Sequence, residues 1–209
     1  MTDFSWLLFD AAIFFAAADW IAVALRNKTL EYVCKPAAIA FLIAVALAVQ
    51  PRNDVQRWAF VVALVFSLAG DVLLMVDRFL PGLIAFFGGH VAYIVGLRSG
   101  RTDFRPLLLS ALIVFVAIVF VGARILVAVR ERSPELGTPV SAYIAVISVM
   151  VACALASGNP LAATGAALFM VSDSLIAWNR FVKPLSWAPI TIIVTYHLAQ
   201  AGLVLSLSN

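Results

Sequence analysis

Ser67-Leu-Ala-Gly70-Asp71-Val-Leu-Leu-Met-Val-Asp77-Arg78-Phe79 sets a carboxylate inside an apolar run long enough to lie in a bilayer. An ionised group at the middle of a membrane helix costs about 2.5–3.5 kcal/mol, so such residues are rarely retained without a role. The stretch has an echo 102 residues later, in Asp173-Ser-Leu175-Ile-Ala-Trp-Asn179-Arg180-Phe181. The acid, the Leu two residues on and the following Arg-Phe recur at identical spacing.

Composition sets the surroundings of that acid. The chain has 209 residues, is 64% hydrophobic and only 12% charged, about half the charged fraction of a soluble domain. One core cannot hold so many apolar side chains, so the outer surface must be apolar as well. An all-α polytopic membrane protein is therefore expected, with no soluble domain at either end. The N-terminus Met1-Thr-Asp-Phe-Ser-Trp6 lacks a basic region and a cleavage site, so its apolar run reads as a retained helix. Cys34 and Cys153 form no spacing pattern that points to a disulfide framework or a thiolate metal site. The net charge of +3 sits mostly in short connections, a pattern of topology signals and headgroup contacts rather than of a nucleic-acid surface.

Spans of about 20 apolar residues, punctuated by charges, Pro and Gly, fall at roughly 5–25, 31–50, 56–76, 80–98, 105–124, 138–157, 160–180 and 185–207. Eight transmembrane helices result, forming a single membrane domain. The echo extends to Lys35-Pro36 against Thr138-Pro139, read as helix openings, and to Tyr93 against Tyr196. Two parallel four-helix repeats, about 1–100 and 101–209, are expected. Arg52, Arg57, Arg98, Arg101 and Arg105 mark one side of the membrane and the other nine basic residues the second. That asymmetry puts the second side in the cytoplasm, but only by six to five once Lys35, Arg78 and Arg180 are set aside as site residues.

Polar residues within the spans gather towards that second side. Asp71, Asp173 and Asp19 lie one to two turns before the ends of their helices, and Lys35 and Tyr143 enter from the same side. His90, Tyr93, Tyr196 and Gln200 lie nearer mid-depth. Asp71 and Arg78, like Asp173 and Arg180, are seven apart and so would share a helix face. A half-membrane-deep polar cavity open to one side would satisfy these groups together. Plainer readings accompany it: Arg78 and Arg180 snorkelling to phosphates, Lys35 as a flanking lysine, His90 as a packing histidine, and Asp19 paired with a helix-end base.

Two carboxylates in a poorly hydrated cavity titrate at separate pH values, through desolvation and mutual repulsion. One protonated and one ionised acid suit cleavage through an oxocarbenium ion. No serine stands in a nucleophile-elbow context and there is no HExxH pattern. His90 and His197, the two histidines of the chain, cannot build a three-histidine metal site, and no cofactor is expected. Acid/base hydrolysis, proton-coupled transport and non-catalytic lipid binding remain open on these grounds.

Gly70-Asp71-Val-Leu-Leu, with Phe79-x-x-Gly82-Leu83-x-x-Phe86-x-x-Gly89-His90-x-x-Tyr93, resembles the signature of the YhhN-like lysoplasmalogenase family. Ser172-Asp173-Ser-Leu-x-x-x-Asn179-Arg-Phe181, Tyr196-x-x-Ala199-Gln200, Lys35-Pro36 and Tyr143 fit the same pattern. The resemblance spans about residues 30–202 and departs where the family's usual Tyr-Tyr reads Tyr196-His197. It implies an integral membrane hydrolase that cleaves the vinyl ether of a lysoplasmalogen, giving a fatty aldehyde and a glycerophospho-ethanolamine or -choline. Asp71 and Asp173 would be the catalytic pair, with the identity of the proton donor left open. Lys35, Arg78 or Arg180 would hold the substrate phosphate, and His90, Tyr93, Tyr143, Asn179, Tyr196 and Gln200 would line the site. The expected partners are the lysophospholipid substrate and the surrounding membrane lipids, in the inner membrane of a bacterial source.

Overall fold

Capping residues and prolines mark where the helices begin. The Thr2 hydroxyl accepts the Ser5 amide while Ser5 Oγ accepts the Thr2 amide, a reciprocal cap on the first helix. The side-chain oxygens of Asn27, Asn53 and Asn159 accept amides of the turns that follow them. Pro106, Pro160 and Pro189 stand in first turns, where a missing N–H leaves no bond unmade. In the computed structural model, which describes residues 1–51 and 53–208, the result is eight helices long and apolar enough to cross a membrane. They are α1 Asp3–Ala24, α2 Lys28–Ala48, α3 Asp54–Met75, α4 Phe79–Arg98, α5 Arg105–Arg132, α6 Pro134–Ala156, α7 Pro160–Val182 and α8 Ala188–Ser208. The chain is thus an all-helical, multi-pass integral membrane protein. Arg52, one of the residues counted for topology, lies outside the described residues.

Three sequence expectations need correction. Pro36 does not open α2, which starts at Lys28 under the Asn27 cap and carries Pro36 in its interior. Pro139 does lie in the first turn of its α-helical segment, so the two prolines are not in equivalent places. Arg78 does not share a helix face with Asp71, because α3 ends at Met75. Asp77 then turns the chain with φ 60°, and Arg78 stands exposed as the N-cap of α4. By contrast α7 continues past Asp173 through a π-helical turn, Trp178–Val182, so Arg180 remains on its helix. Finally, α5 runs to Arg132 rather than ending near residue 124, passing through a π-helical turn at Ile118–Gly122.

Hairpins α1–α2, α3–α4 and α7–α8 pack closely. Helix α4 crosses onto α6, and α8 lies against both α1 and α2, which joins the two ends of the chain. Helix α5 is peripheral, seated on α6 with its last part against the π turn of α7. Its Leu108, Leu109, Leu112, Ile113 and Phe120 are all more than 60% exposed, so lipid is the solvent they were selected for.

Small residues bring α7 and α8 together. A Cβ on Gly165 would lie 2.8 Å from the Ala199 carbonyl oxygen and 2.9 Å from the Leu203 amide nitrogen, both backbone atoms that cannot turn aside. A Cβ on Gly202 would lie 3.3 Å from the Gly165 Cα. Such a seam replaces the hydrophobic drive that is missing between helices in lipid. Gly165→Leu therefore overpacks it, with an expected loss of about 1–3 kcal/mol or more, read as a lower Tm in detergent. Ile84→Ala on the lipid face is expected to change stability by no more than about 0.5 kcal/mol.

Candidate active site

The two sequence-echoed acids occupy different surroundings. Asp71, near the end of α3, is 1% exposed. Its Oδ1 lies 2.9 Å from Lys35 Nζ on α2, and its Oδ2 accepts the Tyr196 hydroxyl of α8 at 2.6 Å. Behind them Gln200 Nε2 donates to the Tyr196 oxygen at 3.4 Å, and the Tyr93 hydroxyl donates to Gln200 Oε1 at 2.5 Å. Tyr93 and Gln200 are fully buried, and Phe60 closes over Tyr93 edge-on. This row ties α2, α3, α4 and α8 together.

Asp173, on α7, has its Oδ2 bound by the Tyr143 hydroxyl of α6 at 2.5 Å, with His90 Nε2 of α4 at 3.3 Å from the same oxygen. His90 Nε2 is also 2.9 Å from the Tyr143 oxygen. Since the Tyr143 hydrogen goes to Asp173, His90 carries its proton on Nε2 and donates it to Tyr143. Among the described residues no Lys or Arg nitrogen lies within 4 Å of Asp173. The Asp173 side chain is 11% exposed, against 2% for Asp71.

That exposure faces a cavity of about 820 Å³, within the size range of small-molecule sites. Its walls come from α3 to α7 and are almost wholly apolar, with Leu74, Phe86, Ile147 and Trp178 among them. Asp173, Tyr143, Ser148 and Ser174 supply its polar edge. The π turns of α5 and α7 both contribute, through Ile118, Gly122, Trp178 and Phe181, a frequent setting for such turns. Phe86 and Phe169 separate the two acidic clusters. Each ring packs edge-on to Tyr196, and Phe169 also packs edge-on to His90. Asp71 does not line the cavity, and no hydrogen bond joins it to Asp173 among the described residues.

Of the expected site residues, the structure brings Lys35, Asp71, Tyr93, Tyr196 and Gln200 into one network, and His90, Tyr143 and Asp173 into another. It leaves three elsewhere. Asn179 Oδ1 accepts the Leu185 amide at 2.7 Å and shapes the α7–α8 connection. Arg78 is exposed, and exposed Arg180 stacks over the Phe79 ring at 4.2 Å, so neither lines the cavity. Asp19, expected to pair with a helix-end base, is fully buried, with neither oxygen bonded to a protein group among the described residues. His197, the departure in the motif, accepts the Trp20 Nε1–H on Nδ1 and links α8 to α1. Leu74, Ile147 and Trp178 line the cavity and escaped the sequence reading, because an apolar residue in an apolar chain gives no signal.

The sequence is similar to known proteins. A sequence model of the YhhN family matches residues 30–207. The chain is 34% identical over 145 residues to the lysoplasmalogenase TMEM86B of Homo sapiens, covering 69% of this chain and 61% of that protein. It is 32% identical over 174 residues to the mouse protein of the same name (83% and 72%), and 32% identical over 153 residues to a lysoplasmalogenase of Mycobacterium tuberculosis (70% and 58%). The match thus spans about three fifths of the human and mycobacterial proteins. No solved structure matches the chain. With 178 consecutive residues covered, including both acids and all their hydrogen-bonding partners, the chain belongs to the YhhN family.

Proposed function

We propose that this protein is a lysoplasmalogenase, hydrolysing the vinyl ether of a 1-alkenyl lysophospholipid to a fatty aldehyde and a glycerophospho-base. The observation that carries the reading is the carboxyl group of Asp173 at the polar edge of a large apolar cavity lined in part by the lipid-facing helix α5. The relatives named lysoplasmalogenase support it. The cavity suits the alkenyl chain, whose burial is worth about 25 cal/mol per Å² of apolar surface removed from water.

The asymmetry of the two clusters divides the work. Asp71 has the partners of an ionised carboxylate, Lys35 and the Tyr196 hydroxyl. Asp173 has no Lys or Arg nitrogen within 4 Å among the described residues, and Tyr143 occupies Oδ2, which leaves Oδ1 to carry a proton into the cavity. Asp173 is the proton donor. Its proton goes to the outer vinyl carbon, where the π electrons form the new C–H bond and the ether oxygen's lone pair makes the oxocarbenium ion. Water adds to that cation, and the Asp173 carboxylate takes the water's proton and becomes an acid again. The hemiacetal then passes its hydroxyl proton to the glycerol oxygen as that C–O bond breaks, and the aldehyde leaves. Tyr143, with His90 donating to it, orients Asp173. Asp71 is a positioning residue that holds Lys35 and Tyr196 beside the site and supplies negative potential for the cation.

Two outcomes test this. With a 1-alkenyl lysophospholipid in mixed micelles, Asp173→Asn is expected to lower the rate of aldehyde release about 10²–10⁴-fold, the range for a lost general acid. Asp71→Asn should cost less. Turnover by Asp173→Asn within a few-fold of wild type rules out the assignment, and no aldehyde from wild type rules out the function. Separately, Lys35→Met leaves a carboxylate buried and unpaired, with an expected loss of about 3–5 kcal/mol in stability. Adding Asp71→Asn should return much of that loss in a double-mutant cycle followed by thermal unfolding.

A further inference from the structure

The apolar cavity follows one face of α6. Tyr143, Ile144, Ile147, Ser148, Val151 and Leu155 recur at three- and four-residue intervals and all line it. The Tyr143 hydroxyl holds Asp173, so the acid stands near one end of this row. Val140, Phe181 and Trp187 line the short stretch beyond it, towards the α7–α8 connection. In the other direction the row runs from Tyr143 to Leu155, about 18 Å at the helical rise. With C–C bonds of about 1.5 Å, an extended chain of about fourteen carbons fills that length.

Helices α5 and α7 flank this row, and their packing changes along it. The last part of α5, Ala123–Arg132, lies against the π turn of α7 and joins the two helices at the end near Asp173. The first part, Arg105–Ala117, packs on α6, whereas α7 ahead of its π turn packs on α8. There the cavity wall has exposed members from both flanks. Ile113 of α5 is 65% exposed and Val171 of α7 47%, and Ala167 is exposed as well, yet all three line the cavity. Ala167, Val171 and Ser174 stand on one face of α7 that leads to the level of Asp173. We propose that the cavity opens sideways to the bilayer between α5 and α7, and that the alkenyl chain enters and the aldehyde leaves through this gap, with Ile113, Ala167 and Val171 as its rim. The proposal rests on the vinyl-ether hydrolase reading for the identity of the chain. Passage through the aqueous end would expose every methylene to water, whereas the sideways passage keeps the chain in apolar surroundings throughout. The open flank also sets a specificity. A chain longer than the row continues among the lipid tails instead of meeting a wall, so excess length is not penalised.

The first test needs no variant. The full chain in nanodiscs is given 1-alkenyl glycerophosphoethanolamines whose chains are shorter and longer than the row, and aldehyde release is followed. The kcat/KM should rise with chain length until the row is filled and then stay level, while a fall for the longest chains shows a closed chamber and overturns the proposal. The second test narrows the gap from both flanks with Ile113→Trp and Ala167→Trp together. Its kcat/KM for a long-chain lipid in nanodiscs should fall about tenfold or more relative to that for a short-chain, monomeric vinyl ether that reaches Asp173 from the aqueous end. Leu112→Trp, on α5 but outside the cavity lining and 66% exposed, should leave the ratio between the two substrates unchanged. Equal losses on both substrates in the double variant, as general damage to the fold produces, or no loss on either, overturn the sideways passage. Aldehyde release from neither substrate by wild type is instead the failure of the hydrolase reading.

Discussion

The interaction on which the rest of the structure depends is the burial of Asp71 between Lys35 and Tyr196. A carboxylate with almost no exposure inside a membrane bundle must have its donors in place before the helices can close. Those donors come from α2 and α8, at opposite ends of the chain. Meeting this need draws α8 against α1 and α2 and sets the order of helices around the centre. Gln200 and Tyr93 extend the network into the core of the α3–α4 hairpin, so that satisfying one charge fixes four helices.

That constraint also separates the two acids chemically. Asp71 uses up its oxygens on protein donors, and the rings of Phe86 and Phe169 stand between its cluster and that of Asp173. Asp173 keeps one oxygen free at the edge of an apolar cavity. A pair that looks symmetric in the sequence is unlike in three dimensions: one acid sits within a buried ion pair, the other at the edge of an apolar cavity. The neighbours also come from helices distant in the chain, with α8 donating to the acid of α3 and His90 of α4 lying 3.3 Å from the acid of α7. The close echo of the motifs does not extend to equivalent surroundings, as the different fates of Arg78 and Arg180 illustrate.

Residue type and spacing made the membrane class, the eight spans and the two acids legible. Lys35, His90, Tyr143, Tyr196 and Gln200 were legible as well, because polar side chains in apolar helices stand out against their background and must find one another. The reading failed where a helix end decided the outcome. Seven-residue spacing placed Arg78 beneath Asp71 only if α3 continued, and the left-handed turn at Asp77 ended it. Pro36 read as a helix opening because proline suits a first helical turn, yet the Asn27 cap starts the helix at Lys28. Asn179, read as a site residue, has its Oδ1 bonded to the Leu185 amide of the loop that follows.

By itself the sequence determined that the chain crosses a membrane eight times and sets two echoed carboxylates within its apolar helices, since transfer free energies follow composition and length alone. Only the tertiary structure decided which groups surround each carboxylate and which of them meets the cavity. Hydrogen bonds and cavity walls are made between helices far apart in the chain, and no local pattern of residues encodes which faces will meet.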